Sequence, residues 1–428
     1  MDRNHPTKFH LVIGLLFLLI TTSLQATAGM ERRRDQYGTD FGYYIYPIAG
    51  DIPGLGTALG MGGSAINMFG SDTDFTGFKI DGDFQASGYA LLDIPIVKRR
   101  LVFDFGYYDL LVAPIIYRRG MQSKAEDYLQ PKAQGDYLLG QLTYSLFDRM
   151  FDAFFRYGKG ASRLIEVLDK TGEKYDAVDT SRYEVSFNAI GLTADYTDDR
   201  LDPRRGLRLE VSRRQNFFKD PMQSKYYVMD YNLSSYFPMR NWDTLAVNVF
   251  ASQAHITKTG VTDADEYRAR AGLNCQQIPA GPQQDQCTET ENSYIADNIA
   301  HNRYGTATSL GGTQRLRSFA NGRFYGGRAL FYGLEYRWNI TEERTPFDIY
   351  MARGIRTNFQ LAAFIEQGAV ADKYDDLFRH QRTSYGVGVR MLLSGVIIRA
   401  DLAHGVEGNE FVLFITYPRS MFSVDSPG

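Results

Sequence analysis

Cysteine is nearly absent from the 428-residue chain, which has two, Cys275 and Cys287. No histidine or third cysteine lies near them to complete a ligand set, which disfavours a thiolate metal centre there. Basic charge shows no excess: 47 Lys and Arg stand against 50 Asp and Glu, a formal net charge of −3. A nucleic-acid partner needs a dense cationic face and is not expected. Long apolar runs are also missing. Mean hydropathy is −0.32, and the one mainly apolar stretch, LVIGLLFLLITTSL at Leu11–Leu24, is too short to span a bilayer comfortably. It follows Arg3 and Lys8 and precedes Ala26-Thr27-Ala28, giving a basic head, an apolar core and a small-residue exit. Residues 1–28 therefore read as a secretory signal peptide. In an exported chain the spacing of Cys275 and Cys287 favours a disulfide. Closing so small a loop contributes on the order of 3 kcal/mol and stiffens the loop, not the core.

What is plentiful is glycine (41), tyrosine (29) and phenylalanine (28), a mixture suited to strands and turns. Segment after segment alternates with period two. Leu207, Leu209 and Val211 alternate with Arg208, Glu210 and Ser212, and Leu245, Val247 and Val249 with Ala246, Asn248 and Phe250. Further on, Val387 and Val389 alternate with Gly386, Gly388 and Arg390, and Val396, Ile398, Ala400 and Leu402 with Ile397, Arg399, Asp401 and Ala403. One face is apolar and the other polar, small or charged, which is the strand signature. Strands recur along the mature chain with no helical module between them. Short connections (DRM, TDDRLDPRRG, PMRNW) alternate with long ones at 119–135, 165–182 and 254–327. Aromatics gather near strand ends, as at Tyr226-Tyr227, Tyr236-Phe237, Trp242, Tyr336 and Trp338. Short turns on one rim, long loops on the other and aromatic girdles predict an all-β fold, a single antiparallel transmembrane barrel. Closure satisfies every backbone group inside lipid, and half-greasy strands account for the negative hydropathy. About sixteen strands are expected, with fourteen as the alternative. This assigns 29–40 to a short periplasmic leader and 41–428 to the barrel, in contact with outer-membrane lipid.

Within the long connection, SLGGTQRLRSFANGRFYGG (Ser309–Gly327) has neither periodicity and carries Arg315, Arg317 and Arg323. The strand after it sets Leu330, Tyr332, Leu334, Tyr336 and Trp338 outward, so Glu335 and Arg337 point into the lumen. The next sets Phe359, Leu361, Ala363 and Ile365 outward and Asn358, Gln360 and Glu366 inward. A guanidinium is planar, permanently charged and able to bridge carboxylates with its forked donors. Folding the loop inward lets Arg317 reach Glu335 and Glu366; left outside, Arg317 is a solvated loop residue. Spacing alone leaves both open.

QRLRSF resembles the Val-Arg-Gly-Phe/Tyr loop motif of the BamA/TamA superfamily of outer-membrane assembly and translocation barrels, on Leu316, Arg317, Ser318 and Phe319. The resemblance implies a loop arginine inside the barrel, paired with Glu335 in GLEYRW and Glu366 in FIEQG. DDRLDPRRGLRLEVS resembles the family's Asp-x-x-x-Pro-x-x-Gly turn, through Asp198, Asp202, Pro203 and Gly206. YGVGVRMLLSGVIIRADLAHG resembles the penultimate hairpin, and the likeness runs from about Phe41 onward. Serine stands at 318 where the family has glycine, and Glu366 where it has aspartate. About a dozen residues between Ala28 and the first strand leave no room for a POTRA domain, so a barrel-only member is expected.

Other signals are weaker. Gly54, Gly56 and Gly60 mimic a dinucleotide loop one residue too long, with no strand-to-helix transition around it. Asp72–Asp83 nearly fits a calcium loop, but its flanks alternate as strands. His255, His301, His380 and His404 are scattered, and no serine–histidine–acid set is recognisable, so neither enzyme activity nor a cofactor or metal is expected. The basic cluster Met30–Gln36 reads as a solvated leader. The functional expectation is assistance to protein or lipid insertion or passage at the bacterial outer membrane. Its expected partners are unfolded outer-membrane clients or a separate POTRA-bearing protein. The alternatives are a passive channel lined by Arg208, Glu210, Arg390, Arg399 and Asp401, or a structural surface antigen.

Overall fold

A computed structural model describes residues 31–38, 40–169, 181–217, 220–240, 242–271, 275–341, 347–393 and 396–416. The signal-peptide reading lies outside the described residues. One sheet contains every strand, and sixteen of them form a closed antiparallel wall. These are β1 (Gly42–Ile52), β2 (Gly56–Met68), β3 (Thr73–Gly82), β4 (Gln85–Val97), β5 (Leu101–Val112), β6 (Tyr128–Leu146), β7 (Phe151–Asp169) and β8 (Arg182–Thr197). They continue as β9 (Gly206–Phe217), β10 (Lys225–Pro238), β11 (Thr244–Lys258), β12 (Arg328–Asn339), β13 (Thr357–Ala371), β14 (Arg382–Leu393), β15 (Val396–Gly405) and β16 (Gly408–Thr416).

The period-two pattern puts side chains where the alternation requires. On β14, Tyr385, Val387 and Val389 are exposed to lipid while Ser384 and Arg390 are buried in the lumen. On β13, Phe359, Leu361 and Ile365 face out and Asn358, Gln360, Phe364 and Glu366 face in. No described helix is long and apolar enough to cross a membrane, which the strands do instead. Val396 is an exception to its expected lipid-facing set: it is buried at the short-turn rim among Tyr44, Tyr46, Ile355 and Leu393.

Three features depart from the sequence reading. First, β6 and β7 run far into the expected loops and pair from Leu129↔Asp169 down to Leu146↔Phe151. Beyond lipid a strand needs no greasy face, and ion pairs such as Lys132–Glu166 across the ladder suffice. Second, the long connection is not strand-free coil. It contains α1 (Ala264–Ala271) and α2 (Pro282–Tyr304), stapled by the Cys275–Cys287 disulfide. Proline in the first turn of α2 was a legible helix-start signal. Third, the β12–β13 turn forms a small hairpin, Phe347–Ile349 with Ala352–Ile355, whose second strand pairs with β1.

The helical cap docks beside the extracellular end of the barrel. Asn302 of α2 accepts from Ser224 N and donates to the carbonyls of Met222 and Val261. Arg118 grips Asp297 at 2.6 Å, and Arg119 reaches the Gly305 carbonyl and Asp372. His301, at the end of α2, contacts Thr306 Oγ1 at 2.8 Å and packs edge-on against the Tyr226 ring. Burial, with Arg119 nearby, pulls its pKa down from 6.5 to about 4. Its neutral form therefore stabilises the docked cap fully above pH 6.5, and that contribution fades as pH falls toward about 4. The full loss is about 3 kcal/mol. Acidification through this window should raise protease sensitivity of 259–305 in the wild type, and His301→Asn should flatten the profile.

The leader residues 32–37 dock on the opposite rim. Arg32, Arg33 and Arg34 were expected to be solvated; they instead dock on the β8–β9 turn. Arg33 pairs with Asp198 at 3.0 Å, and Arg34 with Asp199. Arg32 donates to the Thr197 and Asp195 carbonyls. Tyr37 is buried against the Arg149 guanidinium, 4.3 Å from its ring centroid.

Candidate functional site: a loop arginine seated in the lumen

Backbone geometry presents the arginine. Gly311 and Gly312 have φ near +106° and +107°, which favours glycine, and their amides bond the carbonyls of Arg315 and Phe319. This folds Gly311–Phe319 into a compact knot. Leu316 is also left-handed at φ +53°, a conformation that costs a non-glycine residue on the order of 1 kcal/mol. It is fully buried with Leu310, Phe319, Phe324 and Phe331, which holds the knot in place.

From that knot Arg317 enters the lumen and is 3% exposed. Its Nε donates to Glu366 Oε1 at 2.7 Å and its backbone N–H to Glu366 Oε2 at 2.9 Å. Nη2 reaches Glu335 at 3.1 Å, and Nη1 reaches Asp401 at 2.9 Å. The guanidinium lies 3.4 Å over the Phe364 ring centroid, a stacked cation–π contact. Glu335 and Glu366 were anticipated as partners. Asp401 is a third partner: its inward position on β15 is legible from the alternation, but the sequence offers it only as lumen lining. Arg337 and Arg390 also bind Glu335, and Arg399 binds Asp401. Four guanidiniums and three carboxylates thus form one buried lattice across β12, β13, β14, β15 and the loop.

Small residues make the berth. A Cβ at Gly405 would lie 2.2 Å from Ser318 Oγ, and one at Gly368 2.7 Å from Leu310 Cδ1. Ser318 N donates to Ser384 Oγ at 3.0 Å, while the buried Ser318 Oγ has no partner among the described residues. Phe319 packs edge-on against Phe324 with ring centroids 5.0 Å apart. A second loop arginine matters as well. Arg323 is fully buried, bonds Glu407 and Ser123, and lies 4.6 Å over the Tyr117 ring. It ties the loop to the β15–β16 turn and to the β5–β6 loop. Nothing in the sequence names Glu407 as its partner.

The turn residues serve the other end. Asp198 Oδ1 accepts from the amides of Arg204 and Arg205, and Asp199 Oδ1 from those of Leu201 and Asp202. Gly206 has φ +110°, and a Cβ there would sit 2.0 Å from the Tyr196 carbonyl. Asp202 receives Gln360 Nε2 at 2.8 Å from the wall of β13. Burial opposes its charge, yet Arg204 and Arg33 hold its carboxyl below the usual range. The motif therefore folds inward and anchors the leader. Pro203 lies beside Asp202 in the same buried turn.

A sixteen-strand wall with a salt-bridged loop seated in its lumen defines an outer-membrane barrel of the loop-plugged kind. Residues 152–410, more than half of the chain, match the Omp85 superfamily domain, and the chain belongs to that superfamily. Its place is the outer membrane. Among solved structures, CdiB from Escherichia coli superposes with a TM-score of 0.51 at 10% identity, covering 88% of this chain and 60% of that one. A BamA from Haemophilus ducreyi lacking POTRA domains 1–3 gives 0.47 at 12%, covering 89% and 70%. CdiB from Acinetobacter baumannii gives 0.48 at 11%, covering 87% and 59%. At such identities the likeness is one of fold. No curated protein matches the chain.

Proposed function

We propose that this barrel assists the insertion or passage of polypeptides, or of lipid-linked material, across or into the outer membrane. Its clients on this reading are unfolded outer-membrane chains, delivered by a separate POTRA-bearing protein. The observation that carries it is the contrast between a loop anchored inside the lumen and a thin seam. Arg317 and Arg323 knit the long loop into the wall, and the leader lies across the periplasmic rim. Meanwhile β1 and β2 share a full register, whereas β1 and β16 share one residue pair among the described residues, Asp51↔Leu413. Each missing ladder bond lowers the cost of parting those strands by about 1 kcal/mol. A barrel with a salt-bridged loop seated in its lumen and sparse pairing along its side favours lateral traffic over solute conduction.

In planar bilayers the wild type should give small, erratic currents. In liposomes it should raise the rate at which a small urea-unfolded outer-membrane barrel becomes protease-resistant. A large steady wild-type pore with an unchanged insertion rate overturns the proposal and favours a passive channel.

A further inference from the structure

A strand has two edges, and one edge of β1 is filled along its length by β2, from Gly42↔Ile66 to Ile52↔Gly56. Whatever else pairs with β1 must share the other edge, which is the seam. Asp51 meets Leu413 of β16 there. Tyr43 and Tyr44 meet Arg353 and Ala352 there, and Ile45 N–H donates to the Met351 carbonyl at 2.9 Å. Alternate amides along a strand point to the same edge. Pro47 therefore occupies the next seam-facing position after Ile45 and offers no donor. Only Ala49 and Asp51 remain on β1 as seam-facing donors to β16.

We propose that the hairpin at 347–355 is a latch that holds the seam shut from its periplasmic end, lending a strand to the edge that β16 leaves open. It grips both sides. Ala352 and Ile355 are buried with Tyr44 and Tyr46 of β1, and with Leu393 of β14 and Val396 of β15. Ile415 of β16 packs against the same cluster. Its contact with β1 is a close backbone approach. A Cβ at Gly354, where φ is +67°, would lie 2.7 Å from the Phe41 carbonyl, and one at Gly42 would lie 3.0 Å from that of Arg353. Asp348 Oδ1 accepts from Gly354 N at 2.8 Å and fixes the hairpin's own shape. The Tyr350 side chain at the tip is 98% exposed. The inference rests on the seam reading for its purpose, and its geometry is tested separately.

Residue-resolved hydrogen exchange on the purified barrel in nanodiscs tests it, comparing wild type with Gly354→Val and with the milder Asp348→Ala. Both variants should keep the heat-resistant gel mobility of a folded barrel. In each, exchange at Ile45 should rise about five- to tenfold, as expected for one lost hydrogen bond. Ala49 and Asp51 should accelerate with it, while the β2-facing amides of Tyr44 and Tyr46 hold their rates. Unchanged exchange at Ile45 in both variants overturns the latch. So does a rise confined to Ile45 that leaves Ala49 and Asp51 unmoved. Client insertion plays no part in this readout, so the latch and the proposed function fail separately.

Discussion

Arg317→Ala is expected to destabilise the folded barrel by about 3–5 kcal/mol, because it leaves buried carboxylates without their cation. The loss should fall unevenly on the three acids. Glu335 keeps Arg337 and Arg390, and Asp401 keeps Arg399. Glu366 has only Arg317 as a hydrogen-bond and ion-pair partner among the described contacts. Glu366→Gln should therefore suppress much of the damage when combined with Arg317→Ala, since a neutral amide needs no counter-charge. Thermal or urea midpoints of the two single variants and the double variant give the coupling directly, and about 2 kcal/mol or more is expected. Additivity within about 0.5 kcal/mol would show that the arginine does not neutralise Glu366. Arg317→Lys should recover little. An ammonium's three donors radiate from a single nitrogen, so it cannot reach Glu366, Asp401 and Glu335 from positions spread as Nε, Nη1 and Nη2 are, nor stack flat over Phe364.

Gly405→Leu is expected to unseat the loop while leaving the strands paired. The first added carbon already falls 2.2 Å from Ser318 Oγ, 3.0 Å from Ser318 Cβ and 3.2 Å from the Phe319 ring. The knot is close-packed and cannot give that much, so the loop must move and take Arg317 with it. Lost loop packing and an emptied lattice together should cost at least as much stability as Arg317→Ala, and single-channel recordings should show a wide, steady pore. The smaller change Gly405→Ala separates steric blockade from a general strand defect. Ser318→Gly removes both of the nearest clashing atoms and should restore quiet recordings to Gly405→Ala. If it fails to rescue, the berth is not formed by this contact.

The wall was legible because lipid and lumen impose opposite demands on alternate residues. That contrast is written directly into LRLEVS and YGVGVRM. It also gave the inward aim of Glu335 and Glu366, leaving only whether the loop came inside, which the Leu-Arg-Ser-Phe resemblance favoured. Legibility ended where contacts join elements distant in sequence and of unlike period. Asp401 pairs with Arg317 across 84 residues, and Arg33 pairs with Asp202 across 169. No spacing rule spans such distances. The periplasmic hairpin was hidden for another reason: its strands are three and four residues long, too short for alternation to register. The helical cap was overlooked because it is polar on all sides and carries almost no amphipathic stripe.

The charge lattice bears on the order in which this protein can be made. Arg317 reaches its three acids on β12, β13 and β15, and Arg399 on β15 completes the neutralisation of Asp401. None of this can close until nearly the whole chain has been synthesised and exported. Before β15 arrives, a half-built sheet exposes unpaired ions on the face that must become its interior, and hydrocarbon rejects them. Assembly is thereby biased toward completion before burial. A chain truncated ahead of Asp401 would stay outside the bilayer, where degradation can reach it.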